Sequence, residues 1–179
     1  MRIPMPETLE KLVLLDRELS TTYGRTIDDY IGLYINFDDE HRYSCTPDDS
    51  ILFGRTGVDG DHFAFYTSRG SIVDLEEAPI LFIQPMRFGY EVNLAARNLK
   101  DLLSLFISIK ELYVLERFRF YKSKSDFIKD YNAYYVDQIY PRENELNFIV
   151  RLLQERIKGI KEIEDVYEYI TELRKQIIL

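Results

Sequence analysis

The 179-residue chain has no tryptophan and a single cysteine, Cys45. One thiol excludes an internal disulfide and a cysteine-built zinc site, and it suits a reducing compartment. There are two histidines, His41 and His62, and neither belongs to a helical metal pair of the His-Glu-x-x-His kind. Long hydrophobic runs are also missing. The longest apolar stretch, Leu99–Leu115, is interrupted by Lys100, Asp101, Lys110 and Glu111, so no membrane span is expected. Met1–Glu7 carries two prolines and no apolar run; a secretory leader is not expected, and the default location is the cytoplasm. No serine sits in a Gly-x-Ser-x-Gly elbow, and no glycine-rich loop ends in Lys-Ser or Lys-Thr. With no internal repeat, low-complexity segment or linker, residues 1–179 read as one domain.

Tyrosine and phenylalanine are plentiful, at 14 and 11 residues. Tyrosine has an apolar ring and a polar tip, which suits half-buried positions and contact surfaces. The net charge is −8 and unevenly placed. Residues 16–61 hold eleven acids against four arginines, while the rest of the chain is nearly neutral. Such a field repels nucleic-acid backbones and favours a basic partner.

Element signals come in a clear order. Pro6–Leu19 reads as a helix, with Leu9, Leu12, Val13 and Leu15 at helical spacing. Asp28–Phe37 fits either a short helix or a strand, and Asp38–Ser50 fits a loop. From Ile51 to Leu94, short apolar runs alternate with turn residues: Ile51–Phe53, Phe63–Tyr66, Ile72–Leu75, Ile80–Ile83 and Tyr90–Leu94. The gaps are too short for helical crossovers, so an antiparallel meander is expected. Asn98 then caps a broadly apolar helix expected to lie across the sheet. Helices capped by Ser125, started by Pro141 and running from Ile163 to Ile177 complete the chain. The fold class expected is α+β. The broad apolar face of Ile160–Leu179 suggests a homodimer through the C-terminal helices.

Candidate chemistry is sparse. Asp59-Gly60-Asp61, with His62 beside it, has a spacing that can hold a divalent cation in a metal-dependent hydrolase, although turns favour Asp and Gly for backbone reasons. Cys45 has His41 four residues before it but no oxyanion element near it. Arg117, Arg119, Lys122 and Lys124 alternate with Phe118, Phe120 and Tyr121. This pattern fits a nucleic-acid strip, a helix end, or a counter-charge for the acidic region. On an acidic chain the last two are preferred. No cofactor, catalytic residue or resident metal is assigned.

The run Leu52-Phe53-Gly54-Arg55-Thr56-Gly57-Val58-Asp59-Gly60-Asp61-His62-Phe63-Ala64-Phe65 resembles the SUKH superfamily of yeast cell-wall-synthesis regulators and bacterial immunity proteins. The resemblance continues through Ala78-Pro79-Ile80-Leu81-Phe82-Ile83, Val92-Asn93-Leu94-Ala95-Ala96 and Asn98-Leu99-Lys100-Asp101-Leu102-Leu103. It covers residues 51–107, about a third of the chain, and its motifs encode turns and packing. It implies a strongly bent central sheet flanked by helices, here with a helical extension over residues 122–179. It also implies a non-catalytic protein that binds and neutralises a toxin encoded beside it. A nuclease toxin with a basic surface is the partner expected, with Asp38, Asp39, Glu40, Asp48, Asp49, Asp59 and Asp61 as contacts and neither nucleic acid nor membrane as partner. The alternatives are a regulatory scaffold without a toxin and the metal-dependent hydrolase.

Overall fold

The computed structural model describes residues 4–37 and 42–176. Five strands form one antiparallel sheet in chain order: β1 (Tyr34–Ile35), β2 (Ser50–Arg55), β3 (His62–Tyr66), β4 (Ile80–Ile83) and β5 (Val92–Ala96). This is the α+β meander expected from the short spacing. Register shifts at Leu52/Gly54 and Ile80/Leu81 put an irregularity into two of the ladders, and such bulges bend and twist a strand locally. Gly54 sits at the first shift, where a side chain would collide with Leu33.

Side-chain alternation gives the sheet two apolar faces. Phe53, Phe63, Phe65, Ile80 and Phe82 enter the main core. The Phe53–Phe65 and Phe63–Phe82 ring centroids are 4.4 and 4.7 Å apart. Over this core lie α1 (Glu7–Tyr23) and α3 (Leu99–Ile109), both contributing to the same cluster. In α1 the buried stripe is Leu9, Leu12, Leu15 and Leu19, and the helix stops at Gly24, whose φ of 66° allows its amide to cap the Ser20 carbonyl. A short α2 (Asp28–Ile31) precedes β1, so both readings of Asp28–Phe37 apply to successive parts of it.

The third apolar run, Ile72–Leu75, is not a strand. Ser68, Arg69 and Gly70 all have positive φ, which closes a turn, and the Ile72 amide bonds back to the Thr67 carbonyl. Leu75 plugs the core while Val73 is 77% exposed. The Glu76 carboxylate in this arch accepts from the Thr8 amide and hydroxyl and pairs with Lys100, tying the arch to α1 and α3.

Helix α3 is buried on almost every side. The Asn98 side chain caps it by accepting from the Asp101 amide, and Lys110 ends it in the left-handed region (φ 58°). Its two serines serve the C-terminal segment: Ser104 Oγ accepts from the Lys161 amide and Ser108 Oγ from the Ile163 amide.

Residues after Tyr121 form an integral part of the fold. They comprise α5 (Lys124–Tyr134), α6 (Val136–Ile139), α7 (Glu143–Arg156) and α8 (Val166–Arg174), following a short α4 (Val114–Arg117) and a 3-10 turn at Phe118–Phe120. Ser123, not Ser125, caps α5, and Asp165 caps α8. Phe127, Leu146, Ile149, Leu153, Val166 and Ile170 share the main core. Leu173 of α8 covers the second sheet face with Leu52, Ala64, Leu81, Ile83 and Leu94. Of the apolar face suggested as a dimer contact, Val166, Ile170 and Leu173 are buried within the chain, while its last three residues, 177–179, lie outside the described residues. Arg174 ends this helix with Nε bonded to the Leu94 carbonyl on the outer edge of β5 and Nη2 to the Leu115 carbonyl. Among the described residues no helix is long and apolar enough to cross a membrane.

Candidate interaction surface

Among the described residues, the acidic residues singled out from the sequence do not converge. Asp38, Asp39 and Glu40 lie outside the described residues, as does His41. Asp48 is exposed and Asp49 half-buried at the start of β2, where the Asp49 carboxylate holds the Arg69 amide at 3.0 Å. Asp59 is exposed in the β2–β3 turn. The six residues of β2 separate the two positions, roughly 20 Å at the rise of an extended strand. Other acids of the quarter have local partners: Asp16 accepts from the Ile27 amide, and Glu18 pairs with Arg156.

Asp61 is corrected from a surface contact to an interior group. It is buried and accepts from Gln84 Nε2 at 2.9 Å. Burial raises its carboxyl above the ordinary range, with Gln84 opposing the shift and Asp59 adding to it.

His62 is fully buried and both ring nitrogens are engaged. Nδ1 lies 2.8 Å from the Gly60 carbonyl, which can only accept, so Nδ1 carries the proton. Nε2 then accepts from Thr46 Oγ1 at 3.0 Å, and that oxygen accepts from the Tyr43 amide. The Tyr43 ring stacks on the imidazole at 5.7 Å. Burial lowers the imidazole below its ordinary value, the Gly60 carbonyl opposes this, and Arg55 and Arg42 add to it. This geometry leaves no imidazole lone pair for a metal, and the chelate reading of Asp59, Asp61 and His62 loses its nitrogen ligand. Among the described residues no three His, Cys, Asp or Glu side chains are grouped to hold a metal ion. Cys45 packs on the second sheet face, and burial raises its thiol, which disfavours the reactive thiolate.

The sequence reading did not single out the β4–β5 turn. Here Met86, Phe88 and Tyr90 are 61, 80 and 64% exposed. The turn is held by backbone bonds from Arg87 to Gln84, from Tyr90 to Arg87 and from Gln84 to Glu91. Arg87 pairs with Glu116 of α4. The Arg119 guanidinium lies 4.7 Å from the Tyr90 ring and 4.5 Å from the Phe120 ring, joining the turn to the 3-10 segment. Phe120 is itself 54% exposed. Tyr90, Arg119 and Phe120 thus form one exposed strip, and Met86 and Phe88 are exposed on the turn that carries Tyr90. That composition is enriched at protein contacts, and scattered exposed leucines would not carry the same weight. A signal existed: Pro85 and Gly89 bracket Met86-Arg87-Phe88, and apolar residues inside a turn have no core to enter.

The basic-aromatic run is divided by the fold. Phe118 is in the core. Arg117 makes a bidentate pair with Asp130 at 2.9 and 2.7 Å, and Tyr121 donates to the same carboxylate at 2.6 Å. Lys124 pairs with Asp165. The counter-charges of Arg117 and Lys124 therefore lie in the C-terminal helices and not in the acidic quarter. Phe120 and Tyr134 form walls of a groove of about 370 Å³ with the Arg117–Asp130 pair beneath.

Comparison with known proteins found no matching family model, no similar curated protein and no similar solved structure.

Proposed function

We propose that this chain is a non-catalytic protein-binding domain of the SUKH kind, acting as an immunity protein that neutralises a toxin encoded beside it. The observation carrying the protein-binding reading is the exposed strip of Tyr90, Arg119 and Phe120, with Met86 and Phe88 exposed on the turn that carries Tyr90. The hydrogen-bonded turn fixes the backbone that carries the exposed aromatics, so little backbone entropy remains to be lost on association. The resemblance over residues 51–107 supplies the toxin-directed part of the proposal. The net charge of −8 steers a basic partner from a distance, while the strip sets the contact.

The test is co-expression with the product of the adjacent gene, followed by affinity measurement. A stable complex that protects against that product's toxicity is expected. Phe88→Ser and Tyr90→Ser each weaken it by at least about tenfold, as truncation of interface anchors does, without lowering the melting temperature. The absence of a complex, or one indifferent to both changes, rejects the proposal. Reversal of Asp38, Asp39 and Glu40 to Lys slows association at low salt if the acidic segment steers.

A further inference from the structure

The lining of the groove beside the strip is charge-balanced, with Arg117 and Lys129 against Asp126 and Asp130, and two further cations, Arg119 and Lys122, adjoin it in the chain, a local surplus of positive charge on a protein of net charge −8. Its floor is the neutralised Arg117–Asp130 pair, closed by the Tyr121 hydroxyl. Because Asp130 is held ionised by Arg117 and Tyr121, the floor carries no net charge. Three cations without an ion-pair partner among the described residues lie in the groove or next to its lining in the chain. Lys129 lines the groove from α5 and Arg119 stacks beside Phe120. Lys122 is exposed on the intervening segment. Among the described residues, none of these three cations has a carboxylate within ion-pair distance. The other acid of the lining, Asp126, is turned back onto the Lys122 amide. The walls are Phe120 and Tyr134, each more than half exposed, and Arg117 lies 4.8 Å from the Tyr134 ring.

We infer that this groove receives an acidic protein segment carrying an aromatic or large apolar anchor. The inference rests on the protein-binding reading above and gives that surface a partner chemistry. The anchor enters the groove that Phe120 and Tyr134 line, where exposed ring surface offers aromatic contact. Flanking carboxylates reach Arg119, Lys122 and Lys129, which have no ion-pair partner among the described residues. A single-stranded nucleic acid would also use cations and exposed rings, but the surrounding charge of −8 opposes a polyanion and tolerates a short acidic segment. The acidic quarter and the groove thus address different parts of a partner: its overall charge at long range, and one acidic segment at contact.

Random peptides displayed on phage provide the probe. They are selected on the full chain alone, and then titrated by amide NMR against it and against the Arg119→Glu/Lys129→Glu double variant. Both substitutions are at exposed positions, and an unchanged melting curve verifies folding. The expected peptides carry Asp or Glu around an aromatic, and they shift amides of residues 117–134. They bind the double variant at least about tenfold more weakly and lose a similar factor in high salt. Selection of basic or uncharged peptides, or equal binding to the double variant, overturns the inference. So does an oligothymidylate that binds this surface more tightly than the selected peptides. A partner from the adjacent gene that is lost with Phe88→Ser but indifferent to the double variant removes the groove inference alone. Selected acidic peptides that bind as expected, with no partner from the adjacent gene, remove the immunity reading alone.

Discussion

The His62 site makes a sharp prediction about pH. The buried ring is neutral, with Nδ1–H on the Gly60 carbonyl and Nε2 accepting from Thr46. In the unfolded chain the imidazole titrates near its ordinary value of 6.5, whereas the folded value is lower. Between those two values the unfolded state binds more protons. Stability is therefore full above about pH 6.5 and falls as pH drops toward the folded value. One proton corresponds to about 1.4 kcal/mol per pH unit, so while the folded ring stays neutral each unit of acidification below pH 6.5 removes up to about 1.4 kcal/mol. That is a measurable share of the ~5–15 kcal/mol typical of a domain. With a urea slope of about 2 kcal/mol per M, each such unit moves the midpoint by up to about 0.7 M.

The measurement is urea unfolding of the wild type and His62→Gln at several pH values, followed by circular dichroism. Glutamine cannot titrate, so the variant lacks this slope whatever its absolute stability. Asp61 shifts the opposite way: its raised carboxyl favours folding at low pH and loses that contribution as pH rises from 3.8 through the folded value. Both proteins carry it, so it cancels in the difference. Equal pH slopes for the two proteins between pH 7 and about 5 would refute the buried neutral imidazole.

Three further outcomes concern the fold. Phe65→Ala empties the main core at a fully buried ring packed at a tilt against Phe53 and is expected to cost about 3–5 kcal/mol; a loss below about 1 kcal/mol by chemical denaturation contradicts the packing. Gly60 has φ 78° and the Tyr43 ring lies where a Cβ would go, so Gly60→Ala is expected to destabilise by roughly 2 kcal/mol and to disturb the Tyr43–His62 stack, seen as altered tyrosine fluorescence. Arg174 is a half-buried cation whose guanidinium is lowered to about 10 by desolvation, and it caps the Leu94 and Leu115 carbonyls. Arg174→Met leaves both acceptors without that donor and bares the β5 edge, so a loss of roughly 2 kcal/mol with increased aggregation is expected; an unchanged melting temperature argues against the edge-capping role.

Where the signal is local, the sequence is a good guide. Ile80–Ile83 is the strand as read, because four apolar residues after Ala78-Pro79 fit a strand buried on both faces. Asn98 caps α3 because its side chain needs only the amide three residues on. Ile72–Leu75 has the same apolar texture but fails as a strand. Its fate depends on the Ser68–Gly70 turn and on which side chain reaches the core. The acidic quarter is a fact of composition, but its coherence as a surface is not: burial takes Asp61 inward, and β2 separates Asp49 from Asp59.

The sequence by itself determined the α+β class, the meander and the excess of acid, since these follow from periodicity, turn spacing and charge count. Only the tertiary structure decided which aromatic residues remain outside and which cations find an ion-pair partner. Phe118 and Phe120 are two residues apart and chemically identical, yet one is in the core and the other forms a groove wall. Arg117 and Arg119 differ in the same way, because Asp130, on a helix that begins seven residues after Arg117, reaches only the first. Burial and pairing are properties of neighbours distant along the chain, and those neighbours exist only once it has folded.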